Sequence, residues 1–325
     1  MAHRAFVTLG AMGLKIALFG QAPFGRDVAI RLADAGHEIV GVHVPPDGFP
    51  GSGRRDVLAQ EADERGWPLF RYKGYRRRGE VRPERLDEYL GLGAELNVLP
   101  FTTVLLPVEM VDAPRLGSLC FHPSLLPAYR GGNALAWQII MGERESGVTV
   151  FRPDDGVDTG PIVLQQGGVP IHDTDNTASL YFDRLYPLGV DAMEQAVAAV
   201  EAGRAEFRVQ DEAGASFQGL VDDAVARIDW GHEAVVVDRL IRGCDPQPGA
   251  LASVGDTPVR LFGSKLEASG HAEPPGTILE VDAASEGLLV AAEGGSALRI
   301  AKLRLGEGKK APAAQAGLKV GDRFV

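Results

Sequence analysis

The fold is decided by residues 14–44, which read LKIALFGQAPFGRDVAIRLADAGHEIVGVHV. The apolar run at 14–20 predicts a buried strand, and residues 23–36 have the periodicity of an amphipathic helix that ends at Gly36. Residues 37–44 predict a second buried strand. A strand, a helix and a strand in this order are the repeating unit of parallel α/β sheets, so the sequence predicts a Rossmann-like α/β domain.

The same alternation continues from this unit to about residue 203. Further strands are predicted at 95–101, 116–122 and 147–152, and an extended segment at 162–171. Helices are predicted at 56–65, 83–92, 134–141 and 177–202. Ligands of such sheets bind at the carboxyl ends of the strands, so functional residues are expected immediately after each predicted strand.

The pattern changes after residue 205. Short β-like runs between glycine turns follow one another, interrupted by one helical stretch near residues 233–242, and this pattern predicts a small β-barrel. We therefore predict three parts: an N-terminal extension at 1–13, an α/β domain at 14–205 and a C-terminal β-barrel domain at 206–325.

Composition excludes several classes of protein. Of the 325 residues, 45% are hydrophobic and 24% are charged, which fits a globular protein and excludes fibrous and wholly disordered chains. A formal net charge of −11 disfavours non-specific nucleic-acid binding. Cys120 and Cys244 cannot form a disulfide framework, which favours a cytoplasmic location, and no apolar run is long enough for a transmembrane helix.

The most informative stretch is residues 120–134, which read CFHPSLLPAYRGGNA. His122 ends a predicted strand, where an α/β sheet presents catalytic groups, and is the first candidate for catalysis. Because side chains alternate along a strand, Cys120 lies on the same face as His122. The alternative is a structural histidine, although the stiff loop after it favours the wall of a binding site.

A second candidate is Asp158 in the turn-rich stretch DDGVDTG, residues 154–160. With Asp154 and Asp155 it could form a metal loop, but the spacing of a calcium loop is absent. Asp158 could also simply shape a turn. A catalytic role requires it to meet His122, which spacing alone does not show.

Two other features carry weaker signals. The turn GQAPFG at 20–25 has neither a P-loop lysine nor the three glycines of a dinucleotide-binding loop. Arginines and tyrosines alternate in residues 71–85, a pattern that suits nucleic-acid binding but in an acidic protein favours a solvated face.

Taken together, the run HPSLLP at 122–127, YRG at 129–131 and GVDTG at 156–160 resemble the folate-dependent formyltransferase family. That family includes methionyl-tRNA formyltransferases, sugar N-formyltransferases and the hydrolase domain of 10-formyltetrahydrofolate dehydrogenase. The chain most resembles the hydrolase domain, through residues 19–25, 93–101, 121–127, 226–230 and 241–250. The resemblance implies an OB-like second domain.

The resemblance also implies a substrate and a site. The substrate would be 10-formyltetrahydrofolate and the product tetrahydrofolate, with no metal required. His122 and Asp158 match the catalytic residues of the family. The residues expected to contact the folate are Val104, Leu105, Leu106, Ser124, Leu125, Leu126, Pro127, Asp154 and Asp155.

Cys120 departs from the family pattern. Transfer enzymes of the family usually carry an Asn at this position as an oxyanion donor, whereas a thiol is a poor donor. The hydrolase domain also lacks that Asn, so we expect water or a small amine as the formyl acceptor. A role of Cys120 as a covalent nucleophile is a minor alternative.

Three other functions remain open from sequence. Methionyl-tRNA formylation would use arginines at 54–55 and 71–85 as RNA contacts, but residues 206–325 hold 13 basic and 18 acidic side chains. An amino group on a nucleotide sugar is another possible acceptor. A non-catalytic folate-binding protein is the remaining alternative.

Overall fold

The computed structural model describes residues 13–47, 55–282, 284 and 287–325. Residues 1–12 of the predicted N-terminal extension and Arg54 lie outside the described residues. Within the described part, no helix has the length and apolar character needed to cross a membrane.

The strands and helices follow the predicted order closely in the first two thirds of the chain. The strands are β1 Lys15–Phe19, β2 Glu38–Val44, β3 Leu69–Arg71, β4 Arg76–Arg77, β5 Glu80–Val81, β6 Leu96–Leu99, β7 Ser118–His122, β8 Glu145–Phe151, β9 Ile162–Pro170, β10 Ala250–Val254, β11 Thr257–Ala268, β12 Ile278–Asp282, β13 Gly287–Ala291, β14 Ser296–Leu305 and β15 Ala311–Pro312. The helices are α1 Ala22–Asp34, α2 Val57–Arg65, α3 Pro83–Leu90, α4 Val108–Val111, α5 Ala134–Met141, α6 Thr177–Leu180, α7 Tyr186–Glu201 and α8 Ala234–Gly243.

The described residues divide into two compact units, each made of several chain segments. Unit 1 comprises the chain up to His122 with residues 148–166 and 188–211. Unit 2 comprises residues 123–147, 167–187 and 212–325. The domain boundary near residue 205 stays a prediction.

Unit 1 is built on a twisted α/β sheet. Its seven strands lie in the order β3-β2-β1-β6-β7-β8-β9. Neighbours from β3 to β7 are parallel, whereas β7 and β8 are antiparallel. Successive strands are added to one side of the sheet from β1 to β3 and to the other side from β6 onward, so the topological switch point lies between β1 and β6. Ligands of open α/β sheets bind in the crevice beside such a switch point. The predicted Rossmann-like α/β fold is confirmed.

Local sequence explains how the elements around this switch point form. Residues 16–19 of β1 are fully buried because they are apolar on both faces. Asp56 caps α2 by accepting hydrogen bonds from the backbone N–H groups of Leu58 and Ala59. Gly66 ends the helix in the left-handed conformation, which glycine adopts without steric cost.

Unit 2 holds the C-terminal β structure. Strands β10-β11-β14-β13-β12 form an antiparallel path, with β15 paired to β14. The core contains Trp230 and Phe324, whose rings stack 6.0 Å apart, and α8 lies against the sheet. Closure into a barrel is not confirmed, since the ladders of the described residues leave β10 and β12 as the ends of this path. Residues 321–325 make an isolated bridge between Arg323 and Thr277 and backbone hydrogen bonds to Ile278 and Ser253.

Two segments differ from the sequence-based expectation. The predicted helix at 177–202 is interrupted by a π-helical turn at Tyr181–Leu185. Pro187 follows this turn, and because proline has no backbone N–H, the regular hydrogen-bond ladder cannot run through it. The second segment is residues 71–85, here called the basic segment, where the sequence predicts no strand; it contains the hairpin of β4 and β5.

Candidate active site

β7 positions the first catalytic candidate. Along this strand Phe121 faces α1, where its ring lies 4.5 Å from that of Phe24. Cys120 and His122 face the opposite side of the sheet because side chains alternate along a strand. His122 is 5% exposed and ends the strand, so its imidazole lies at the carboxyl edge of the parallel strands.

The structure brings Asp158 to His122. Nδ1 of His122 lies 3.4 Å from Oδ2 of Asp158, within the range of an ion pair but longer than an ideal hydrogen bond. Catalytic hydrogen bonds are often long in the absence of substrate. The expectation that these two side chains meet is therefore consistent with the geometry, while their catalytic role stays a prediction.

Asp158 is held in place by its own backbone conformation and by Gln210. Its φ is +55°, in the left-handed region, which Asp and Asn enter more readily than most residues. Nε2 of Gln210 donates to the carbonyl oxygens of Asp158 and Gly160, at 2.8 and 2.7 Å. Gln210 is 52 residues further along the chain than Asp158, and no local motif indicates its role.

Cys120 lies in apolar surroundings. It is partly buried against a cluster that includes Phe19, Tyr75 and Leu99. Burial raises the pKa of its thiol well above the usual value, and the negative charge of Asp158 acts in the same direction. A raised pKa leaves little thiolate at neutral pH, which disfavours Cys120 as a covalent nucleophile.

The expected folate contacts in unit 1 lie on loops that follow strands. Val104 and Leu106 follow β6 and pack against the same apolar cluster as Cys120, whereas Leu105 is 84% exposed. Asp154 and Asp155 are exposed on the loop after β8 that also carries Asp158. Asp154 accepts hydrogen bonds from Gly156 and Thr159, so it shapes this loop.

The remaining expected folate contacts belong to unit 2. Ser124 is buried and donates a hydrogen bond to the carbonyl oxygen of Ala128 at 2.7 Å. Leu126 is buried, while Leu125 and Pro127 are partly exposed. Their role in binding folate stays a prediction.

A cavity lies at the switch point of the sheet. It has a volume of about 10 Å³ and is lined by Phe19, Gln21, His43, Tyr75, Thr103 and Val104, among others; we call it the switch-point cavity. The hydroxyl of Tyr75 lies 2.8 Å from Nδ1 of His43. No sequence motif marks either residue: His43 lies within a predicted strand, and Tyr75 lies among the arginines of residues 71–85.

The described residues hold no group of three or more His, Cys, Asp or Glu side chains arranged to bind a metal ion. The expectation of metal-independent chemistry stays a prediction. Some arginines of residues 71–85 pair with acidic side chains: Arg71 pairs with Asp47, and Arg82 pairs with Glu84.

The structure is an α/β protein with a His122–Asp158 pair at the carboxyl ends of its parallel strands. The chain belongs to the formyl transferase family. The model of the family's formyl transferase domain matches residues 14–197, and that of its C-terminal domain matches residues 221–318.

Curated relatives fall into two kinds. The chain is 39% identical to the human mitochondrial 10-formyltetrahydrofolate dehydrogenase over 309 residues, which are 93% of this chain and 33% of that protein. It is 34% identical over 300 residues to the methionyl-tRNA formyltransferase of Pseudomonas paraeruginosa, covering 91% of this chain and 93% of that protein. The chain thus spans about one third of the length of the dehydrogenases it matches.

Solved structures share the fold. HypX from Aquifex aeolicus, in complex with tetrahydrofolic acid, superposes with a TM-score of 0.68 at 21% identity, over 96% of this chain and 50% of that one. The sugar 3N-formyl transferase WlaRD superposes with a TM-score of 0.64 at 17% identity, over 90% of this chain and 98% of that one. At these identities the similarity concerns the fold alone.

Proposed function

We propose that the protein removes the formyl group of 10-formyltetrahydrofolate, with water as the acceptor. The observation that carries this proposal is the His122–Asp158 pair at the edge of the sheet. The identity with 10-formyltetrahydrofolate dehydrogenases supports the substrate, and the thiol at position 120, where an amide donor would suit transfer to an amine, supports water.

The pair suits the chemistry of this reaction. The water oxygen attacks the formyl carbon, the bond from that carbon to N10 breaks, and formate and tetrahydrofolate are released. Because Nδ1 of His122 faces Asp158, Nε2 is the nitrogen that takes the proton of the water and passes it to the departing N10. The carboxylate of Asp158 orients the imidazole and stabilises its protonated form.

The reduced folate would bind at the loops that follow the strands. Val104, Leu105 and Leu106, on the loop that follows β6, would contact its pterin ring, with Asp154 and Asp155 on the loop after β8. Residues 124–127 are proposed as further folate contacts. No step of this chemistry calls for a metal ion, and we propose a cytoplasmic location.

Methionyl-tRNA formylation is the second candidate function. It is favoured by the 34% identity to a methionyl-tRNA formyltransferase whose length the chain covers almost completely. It is disfavoured by the net charge of −11 and by the pairing of Arg71 and Arg82 with carboxylates, since RNA binding depends on cations that face phosphates. Transfer to an amino sugar and folate binding without turnover are weaker alternatives.

Absorbance spectroscopy tests the proposal. We expect the purified protein to convert 10-formyltetrahydrofolate to tetrahydrofolate and formate without any added acceptor. His122→Ala and Asp158→Asn should lower kcat by about 10²- to 10⁴-fold, because each removes part of the proton-transfer pair. The matched control is His232→Ala, which breaks an exposed His–Asp contact of 3.7 Å and should leave kcat unchanged.

Each result has a clear meaning. Formate release that survives in His122→Ala would contradict the proposed mechanism. Turnover that requires added methionyl-tRNA would establish the second candidate instead. Tight folate binding with no turnover under any condition would indicate a non-catalytic protein.

A further inference from the structure

One face of the sheet carries a continuous row of side chains that leads to the catalytic strand. In the strand register His43 of β2 lies beside Phe19 of β1, and Leu99 of β6 lies beside Cys120 of β7. Leu18 is paired with Val98, so Phe19 and Leu99 are also neighbours across the switch point. His122 is two residues beyond Cys120 and therefore faces the same side.

Stacked aromatic rings form the part of this row on β1, β2 and β3, and Tyr75 packs against them. The ring of His43 is stacked between those of Phe19 and Phe70, at centroid distances of 4.3 and 4.6 Å. Tyr75 packs edge-on against Phe19 at 6.0 Å. It is only 4% exposed, although it comes from a segment rich in charged residues. The hydrogen bond between its hydroxyl and Nδ1 of His43 fixes the position of the ring.

The space that remains is very small. The switch-point cavity has a volume of about 10 Å³. A buried water needs roughly 10–15 Å³ of such space, so there is room for about one water and none for an amine carrying a further substituent. Val104 and Leu106 line the cavity. Together with Cys120, they also pack against the apolar cluster on the side of the sheet that carries His122.

We propose that Tyr75, positioned by His43, restricts the formyl acceptor to water by filling the switch-point cavity. This inference rests on the proposed function and assigns its acceptor specificity to a particular side chain. In open parallel sheets, ligands bind in the crevice at the switch point. In this chain, aromatic side chains occupy that crevice. Removing the ring of Tyr75 should therefore open a place for a larger nucleophile.

Product partitioning tests this inference. The parent protein, Tyr75→Ala and Tyr75→Phe are incubated with 10-formyltetrahydrofolate and, in turn, hydroxylamine, O-methylhydroxylamine and O-benzylhydroxylamine. Formate and the N-formyl product are both quantified by mass spectrometry. We expect Tyr75→Ala to raise the ratio of N-formyl product to formate by about tenfold or more, because enlarging a pocket by several carbon atoms changes discrimination by at least that factor.

Controls separate the ring from other effects. Tyr75→Phe keeps the ring but loses the hydrogen bond to His43 that positions it, so its product ratio should lie between that of the parent and that of Tyr75→Ala. Phe182→Ala removes an aromatic ring that is 58% exposed and outside the cavity, and its product ratio should equal that of the parent. If Tyr75→Ala does not fold, Tyr75→Leu provides the same test with a smaller expected increase.

The outcomes distinguish this inference from the function on which it rests. An unchanged product ratio in Tyr75→Ala, with formate release intact, would overturn the role of Tyr75 but leave the hydrolytic function standing. A parent protein that releases no formate in the absence of amines would overturn both. A product ratio that rises equally in Phe182→Ala would show that the effect is not specific to the cavity, and would also overturn the inference.

Discussion

The imidazole of His43 is enclosed by aromatic rings, and its Nε2 has no hydrogen-bonding partner among the described residues. Burial lowers the pKa of His43 to about 3. An imidazole that stays neutral in the folded protein but takes a proton in the unfolded chain makes stability depend on pH.

This arrangement predicts a loss of stability in mild acid. The contribution of His43 is fully present above the unfolded pKa of about 6.5 and is lost as the pH falls from there toward its folded pKa. Between pH of about 7.5 and about 5, the parent should lose roughly 2 kcal/mol more unfolding free energy than His43→Phe does. Urea unfolding at both pH values measures this difference, and equal losses in the two proteins would contradict the prediction.

Cys120 provides a second prediction at this scale. An amide at this position could donate a hydrogen bond to the oxyanion that forms at the formyl carbon, and such a donor is worth about 10²- to 10³-fold in kcat in other enzymes. We expect Cys120→Asn to raise the rate of formyl removal by roughly tenfold, less than this full value because the surroundings are apolar. Cys120→Ser, which has a shorter polar group, is the control. A fall in kcat of Cys120→Asn, measured by absorbance, would contradict the expectation.

Among the elements, α7 lies very close to β7, the strand that carries His122. A Cβ added at Gly189 would be 2.6 Å from the ring of Phe121 and 3.0 Å from that of Phe24. The two rings lie on the side of β7 opposite His122. They approach α7 so closely that position 189 requires glycine.

Gly189→Ala should displace Phe121 and, through β7, the adjacent His122. Overpacking of this kind costs about 1–3 kcal/mol of unfolding free energy, although alanine is intrinsically the better helix former. We expect a lower Tm together with a lower kcat. Thermal unfolding and steady-state kinetics check both, and a Tm above that of the parent would show that the rings adjust without strain.

The elements of the α/β sheet were predictable because apolar periodicity reports burial directly. β1, β2 and α5 lie within two residues of their predicted bounds. β10 was harder to predict, because its residues ALASV alternate too weakly in polarity to indicate a strand. In the site, the positions of His122 and Asp158 followed from motifs, whereas their contact and the part played by Gln210 depend on a long-range arrangement that no local pattern encodes.

The order of chain segments in the whole molecule differs from their grouping in space. α5 precedes residue 205, yet it belongs to unit 2 and packs against α8. The two helices approach so closely that a Cβ at Gly243 would lie 2.5 Å from Cγ1 of Ile140. Arg130, which comes shortly before α5 in the chain, pairs with Glu212 at 2.7 Å.

A chain cut after residue 205 should therefore fold poorly. The fragment would retain α5 but lose α8 and the antiparallel sheet of unit 2. The apolar side chains that these elements cover would then be exposed. We expect such a fragment to aggregate or to bind a hydrophobic dye strongly, whereas the full chain does neither. Size-exclusion chromatography with dye fluorescence measures this, and a monomeric fragment with cooperative unfolding would contradict the expectation.

Residue 158 must satisfy two demands: one comes from its left-handed backbone conformation and the other from the proposed chemistry. The conformation favours Gly, Asn and Asp over other residues, whereas the proposed proton transfer favours a carboxylate. Only one amino acid meets both demands well. Glutamate keeps the charge but loses the conformational fit, and asparagine does the reverse. A gene library covering every amino acid at this codon would thus sort into active proteins, folded inactive proteins and poorly folded ones, with aspartate nearly alone in the first group.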